Sequence, residues 1–339
     1  MREAYFDNAR VLLIFLVVFG HVIQPYTSDS AALNTLYMWI YTFHMPAFIL
    51  IAGFFAKGSG TKRYIATLIK KLLIPYVIFQ LIYTGYYFMI GKADWQASLV
   101  HPQWSLWFLL SLFSWHILLI VFKRWPAPLG LLISIQIGLI AGYIGDIGHT
   151  LSLSRTLVFF PFFLIGYWLT KHQLMQLKHI QVKVAALIVM TTVAIAIALA
   201  PEFNSGWLLA SKSYATLGEP TFGGVARLLI YITSAIMVVS VLAWVPRRRF
   251  PITELGVRTL YVYVLHGFII QFLRVTDISV AQFHGPMDVA IYVSFSALIV
   301  YILSSKPIRT LTKPLIEVQM YHFRKAIHSI TKNESRSPT

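Results

Sequence analysis

The chain has 339 residues, 58% of them apolar and only 12% charged, with a mean hydropathy of +0.70. A soluble domain carries about 25% charged and about 45–50% apolar residues, so lipid is the solvent for most of this chain and a water-soluble globular fold is excluded. The net charge of +16 would suit nucleic acid, but Lys and Arg cluster in alternate loops, where they set orientation and form no binding stripe. Cysteine is absent, which removes disulfides, thiolate metal ligands and Cys nucleophiles.

A membrane-spanning helix needs roughly 20 apolar residues. Ten stretches qualify, at roughly 8–27, 33–56, 72–91, 105–122, 129–146, 154–170, 183–200, 225–245, 257–275 and 287–305. They predict an all-α integral membrane protein of about ten transmembrane helices, with one domain over 1–305 and a basic tail over 306–339. Met1 to Ala9 lead into a run longer than a signal-peptide core, without a small-residue cleavage site, so the first helix reads as retained. With the N-terminus inside, 23 of the 28 Lys and Arg fall on the inner side, and Lys92, Arg155, Lys212, Arg227 and Arg274 fall in or beside outer loops. The positive-inside rule then places both termini in the cytoplasm. Trp39, Trp95, Trp104, Trp107, Trp125, Trp168, Trp207 and Trp244 lie mostly near span ends, as interfacial aromatics do. The tail, with Pro307 and Pro314, continues as an amphipathic stretch from Leu315 to Ile330 expected on the inner membrane surface. Asn333 to Thr339 read as disordered.

An ionisable side chain at membrane depth costs about 2.5–3.5 kcal/mol on insertion scales, which makes each one a functional suspect. Of twelve carboxylates only Asp146 and Asp288 touch predicted spans, both at ends, poor material for a carboxylate proton relay. His21, His44 and His266 lie well inside the first, second and ninth spans, and His116 inside the fourth. Arg10 and His21 are eleven positions apart, about 16 Å of rise and about 20° of net rotation, and so share a helix face. Asp7 sits one turn before Arg10 and can pair with it. A basic mouth with a histidine deeper on the same face fits an anionic ligand that delivers a group to a reaction centre. The plainer reading is a positive-inside anchor and a packing histidine, and spacing alone does not separate the two.

In the second span Pro46 removes a backbone hydrogen bond and predicts a kink around His44, a feature more often structural than catalytic. Lys70, Lys71 and Pro75 form an ordinary span entry, or add charge near Arg10 for phosphate groups. Trp104 and Trp107 open the fourth span as an aromatic belt, and His266 follows Tyr261 and Tyr263 as a buried polar group seeking a partner. Arg155, Arg227 and Arg274 either hold an anionic sugar or lipid phosphate outside or, more simply, snorkel to headgroups.

In order along the chain, these pieces resemble acyltransferase family 3, the membrane O-acyltransferases of bacteria. The family's Arg, ten residues, then His, preceded by Asp, resembles Asp7, Arg10 and His21. Its His-Met-Pro and Phe-x-x-x-Ser-Gly-aromatic segment is similar to His44-Met45-Pro46 and Phe48 to Phe54, with Ala52 in place of the usual Ser. Lys70, Lys71 and Pro75, then Leu106-Trp107-Phe108-Leu109, Phe163-Leu164-Ile165-Gly166-Tyr167 and Leu265-His266, follow in sequence. The first helix is closest to the branch named for fucose 4-O-acetylase.

The resemblance implies ten core helices in a bacterial inner membrane and transfer of an acyl group, usually acetyl, from cytoplasmic acyl-CoA to a carbohydrate hydroxyl. Arg10, Lys70 and Lys71 would then neutralise the CoA phosphates, and His21 would act as general base or as acyl carrier. His44 or His266 would orient His21 or stabilise the oxyanion, and Trp107 and His266 would contact the substrate. No metal and no nucleic acid are expected; a separate glycan-synthesis partner is. The rival readings are a transporter or flippase of a polyprenyl-linked sugar or envelope polymer, and a structural subunit of an envelope-polymer assembly.

Overall fold

A computed structural model describes residues 3–58, 60–95, 98–145, 148, 150–200, 203–276 and 285–317. Among them the regular structure is entirely helical, as the composition predicts. α1 (Ala4–Ile23) and α2 (Ala31–Phe54) come first, then α3 (Lys62–Leu68), a π-helical turn over Ile69–Leu73, and α4 (Ile74–Met89). α5 (Trp107–Phe122), α6 (Ala127–Ala141), α7 (Leu153–Trp168), α8 (Lys171–Gln176) and α9 (Ile180–Leu199) follow. The rest are α10 (Gly206–Leu209), α11 (Gly223–Trp244), α12 (Thr259–Val275), α13 (Pro286–Leu303) and α14 (Lys306–Ile316). Each of the ten predicted spans falls on a helix. Seven are long and apolar enough to cross a membrane, two more belong to bent pairs, and α6 is shorter.

Two expectations shift. The third span starts about ten residues earlier, because α3, the π turn and α4 run together as Lys62–Met89. α2 continues as one helix through Pro46. Amphipathic helix in the tail begins at Lys306, bent 63° from α13, and not at Leu315; the rest of the expected stretch, the segment expected to be disordered and Asp146 lie outside the described residues. Pro307 sits at the start of α14, where its missing N–H is harmless.

α2 is the central element and packs against α1, α7, α9 and α11, while α1 also packs on α12, α13 and the 3-10 segment Pro251–Val257. The basic residues at one end of the bundle satisfy helix C-termini, whose last carbonyls lack intrahelical partners. Lys57 Nζ donates to the Tyr167 and Leu169 carbonyls at the end of α7, and burial pushes its ammonium pKa down. Lys178 Nζ donates to the Leu242, Ala243 and Val245 carbonyls at the end of α11. These lysines therefore close helices.

The start of α1 is pinned to the same end. Asn8 Nδ2 donates to the Pro246 and Arg248 carbonyls at 2.9 and 2.8 Å, and Asn8 Oδ1 accepts from Thr253 Oγ1 at 2.5 Å. Thr253 and Asn8 are both buried, so Asn8→Ala strands two carbonyls and a hydroxyl. The expected cost is about 2 kcal/mol, read as a lower thermal midpoint in detergent. An unchanged midpoint would mean that water replaces the amide without loss.

Candidate active site

A cavity of about 320 Å³ runs inside the bundle along the face of α1 that carries Ile14, Val17 and His21. These residues recur at the helical spacing of one stripe, and Arg10 lies one turn before Ile14 on that stripe. Lys71, exposed in the π turn, and Thr259, at the start of α12, mark the basic end of the cavity. A π turn inside a helix shifts the register of the side chains that follow it, and here it aims Lys71 at the cavity while Lys70 stays off its wall. The middle is apolar, walled by Met45, Phe48 and Leu112; the far end gathers His21, Tyr41, His44, Arg155 and Leu208.

The imidazole of His21 lies 4.4 Å from the Trp104 ring and 5.6 Å from the His266 ring, centroid to centroid, with Trp104 and His266 5.2 Å apart. His266 Nδ1 faces the Val262 and Tyr263 carbonyls at 3.0 and 2.7 Å, and His44 Nδ1 faces the Ile40 carbonyl at 2.9 Å. Carbonyls only accept, so both neutral rings carry their proton on Nδ1 and keep a lone pair on Nε2. His21 Nδ1 and His266 Nε2 are buried without a hydrogen-bond partner among the described residues. Three imidazoles thus converge on one cavity end, two with their tautomer set by their own helices.

Trp104 is held at φ +35°, a left-handed backbone that a bulky residue adopts only under constraint. The ring fits because α12 has Gly267 opposite it: a Cβ there would lie 2.8 Å from Trp104 Cζ3 and 2.3 Å from Tyr83 Oη. Arg274 sits 5.6 Å over the Trp104 ring and donates to the His21 carbonyl and to Gln24 Oε1 at 3.3 and 2.7 Å. It braces the end of α1 just beyond the histidine. Lys92, past the end of α4, donates to Gln271 Oε1, and burial, then Arg274, hold its ammonium down at about 8.

Sequence-predicted residues divide accordingly. His21, His44, Trp107 and Lys71 line the cavity, and His266 packs behind His21. Arg10 pairs with Asp7 at 3.3 Å, as the spacing predicts, and lies 4.6 Å over the Phe55 ring, off the cavity wall. His116 hydrogen-bonds Tyr64 Oη at 2.9 Å, off that wall.

The snorkelling reading of the outer arginines is overturned. Arg227 is buried and donates to the Trp207 carbonyl at 2.6 Å, and Arg155 lies 4.9 Å over Trp107 inside the cavity. Intramembrane guanidinium groups face the bundle because unsatisfied carbonyls and aromatic rings wait there. Trp104 and Trp207, assigned to an interfacial belt, likewise point inward. Trp104, Arg155 and Arg274 belong to the site, where sequence reasoning favoured an aromatic belt for the first and snorkelling for the two arginines, whose sequence signal was basic charge outside the basic loops.

The acyltransferase domain family has a sequence model that matches residues 3–305. The chain belongs to acyltransferase family 3. Two curated relatives share shorter stretches. "Nodulation protein NolL" of Sinorhizobium fredii is 33% identical over 128 residues, covering 33% of this chain and 35% of the relative. "Nodulation protein NolL" of Mesorhizobium japonicum is 35% identical over 65 residues, covering 18% and 17%. The chain thus spans about a third of the length of the first of these relatives. No solved structure matches the chain. His21, His44, Trp107 and His266, which carry the family resemblance in the sequence, come from four helices, α1, α2, α5 and α12, that meet at the His21 end of the cavity.

Proposed function

We propose that this family member is a bacterial inner-membrane O-acyltransferase that moves an acyl group, acetyl foremost, from cytoplasmic acyl-CoA to a hydroxyl of a cell-surface or lipid-linked carbohydrate. The observation that carries the reading is that one cavity has an exposed lysine, Lys71, at the basic end and His21 at the other. Its apolar middle suits an extended acyl-pantetheine arm, with the nucleotide phosphates left at the mouth, where Lys71 offers a point charge. Between Ile14 and His21 the face of α1 covers roughly 10 Å of rise. Arg10 and Lys70, off the wall, act on those phosphates only from beside the mouth.

At the inner end of the arm His21 takes the proton of the acceptor hydroxyl as that oxygen attacks the thioester carbonyl. The new C–O bond forms as the C–S bond breaks, and the proton passes to the departing thiolate, so the products are an ester and CoA thiol. Arg155, in the cavity wall, supplies the fixed cation beside the charge that develops on the carbonyl oxygen, while the Nε2 lone pairs of His44 and His266 only accept.

Acetyl-CoA turnover by purified protein in liposomes tests the proposal, with CoA thiol as readout. Lys71→Ala is expected to raise the KM for acetyl-CoA by about tenfold, the loss of one charge-assisted contact to phosphate, with kcat little changed. Removing Arg10, which is already paired with Asp7, should raise it less. No binding and no thiol release from well-folded protein would move the weight to the transport reading.

A further inference from the structure

Leu208 forms part of the wall of three cavities: the central one of about 320 Å³, a small one of about 10 Å³ and a third of about 1040 Å³. The largest lies between the ends of α2, α9 and α11 remote from the basic end. Thr27, Ser28, Asn34, Thr35, Thr233 and Ser234 contribute polar groups to it, and among the described residues no Lys, Arg, Asp or Glu does. Its apolar side is built on α9, which leaves nearly all of its surface outward; Ala186 is its one buried residue.

The partition between the cavities is the short helix α10. Its backbone is held by three polar side chains from flanking helices: Arg227 Nη1 donates to the Trp207 carbonyl at 2.6 Å, Arg155 Nε to the Leu209 carbonyl at 3.1 Å, and Ser154 Oγ to the Ala210 carbonyl at 2.9 Å. Ala210 closes the turn at φ +53°. Non-helical backbone at membrane depth persists only where its carbonyls are satisfied and it borders a cavity. Two arginines and a strained residue hold Leu208 where its side chain separates two chambers.

We infer that the large cavity is the acceptor site, taking a neutral, hydroxyl-bearing headgroup attached to a lipid chain, and that Leu208 is the septum past which the acceptor hydroxyl reaches the thioester beside His21, its oxygen bonding the acyl carbon as the thiol leaves with CoA. This rests on the acyltransferase reading. The hydroxyl and amide lining can both donate to and accept from sugar hydroxyls. A phosphate or carboxylate placed there would lack the cation that pairing requires. The thin apolar α9 wall suits an alkyl chain lying in the adjacent leaflet.

The natural lack of cysteine makes the test direct. Thr35→Cys and Thr233→Cys proteins in proteoliposomes are treated with a membrane-impermeant maleimide from the side opposite the basic end. Both are expected to label, and octyl glucoside below its micelle concentration is expected to slow labelling by about tenfold when present at ten times its Kd, with octyl phosphate far less effective. Failure of both cysteines to label in folded protein, or better protection by octyl phosphate, would overturn the assignment. Leu208→Ala is expected to raise CoA release without acceptor several-fold, because water then reaches the thioester; unchanged release would overturn the septum. Should that variant not fold, Thr233→Trp substitutes: it is expected to raise the octyl glucoside KM far more than the acetyl-CoA KM, and equal effects count against the site. Wild-type protein that turns over no acetyl-CoA overturns the acyltransferase reading instead, and glucoside protection reads the cavity independently of that result.

Discussion

His21→Ala is expected to slow acetyl-CoA-dependent ester formation by about 10²–10⁴-fold, the usual contribution of a positioned general base, with acetyl-CoA affinity retained. The argument is geometric. His21 is the histidine on the α1 stripe that walls the cavity, and its Nδ1 is buried without a partner among the described residues. His44 and His266 hold Nδ1 on carbonyls of their own helices, so of the three imidazoles His21 is the one whose Nδ1 has no such commitment among the described residues. The ring is also over-determined in position by Trp104, His266 and the brace of Arg274 on its carbonyl. His21→Ala leaves that brace intact, since the contact is to backbone, so the variant should purify as a folded protein. His266→Ala removes a neighbour and not the base, and a smaller loss of about tenfold is expected, within the range by which a positioning contact matters. CoA thiol release against acetyl-CoA concentration separates the two: equal kcat in wild type and His21→Ala would remove His21 from the chemistry. A kcat lower in His266→Ala than in His21→Ala would exchange their roles.

Spans were legible because bilayer thickness acts on local sequence, and ten apolar stretches fall on ten helices. The shared face of Arg10 and His21 was legible for the same reason: helical rotation is arithmetic. What was not legible is set by pairing between distant segments. Trp104 reads as a belt residue until Gly267, 163 positions later, is seen to leave room for its ring. Arg155 and Arg227 read as lipid-facing until α10 offers carbonyls to them. The register shift at Lys71 is likewise invisible in sequence, since nothing in Lys70-Lys71-Leu72 announces a π turn. Motifs inherited through the family resemblance carried more site information than spacing did, because they encode those long-range contacts.

Two of those motifs meet at a single crossing, and this gives the second large expected effect. Gly53, in the segment after His-Met-Pro, and Gly166, in Phe163-Leu164-Ile165-Gly166-Tyr167, lie where α2 and α7 approach most closely. A Cβ added at Gly53 would stand 2.0 Å from the Phe163 carbonyl oxygen, and one at Gly166 would stand 1.9 Å from the Leu50 carbonyl oxygen. Both obstacles are backbone, so no rotamer change relieves them and the helices must separate. Small residues permit such contact between membrane helices, where packing replaces the hydrophobic drive. Overpacking typically costs about 1–3 kcal/mol, occasionally more; with helix backbone as the obstacle, Gly53→Ala and Gly166→Ala are each expected at about 3 kcal/mol. The separation would also displace His44 and Phe48, which line the cavity from α2, so activity should fall with stability. The double variant is expected to lose clearly less than the sum, because the first alanine already opens the crossing for the second. Gly145→Ala is the control, since a Cβ there meets nothing within 4 Å; it should stay within about 0.5 kcal/mol of wild type. Thermal unfolding in detergent, followed by circular dichroism, reads all four proteins. Alanines at Gly53 and Gly166 as harmless as the one at Gly145 would show that the two helices do not cross at the distance described, while strict additivity would show that the two glycines serve separate contacts.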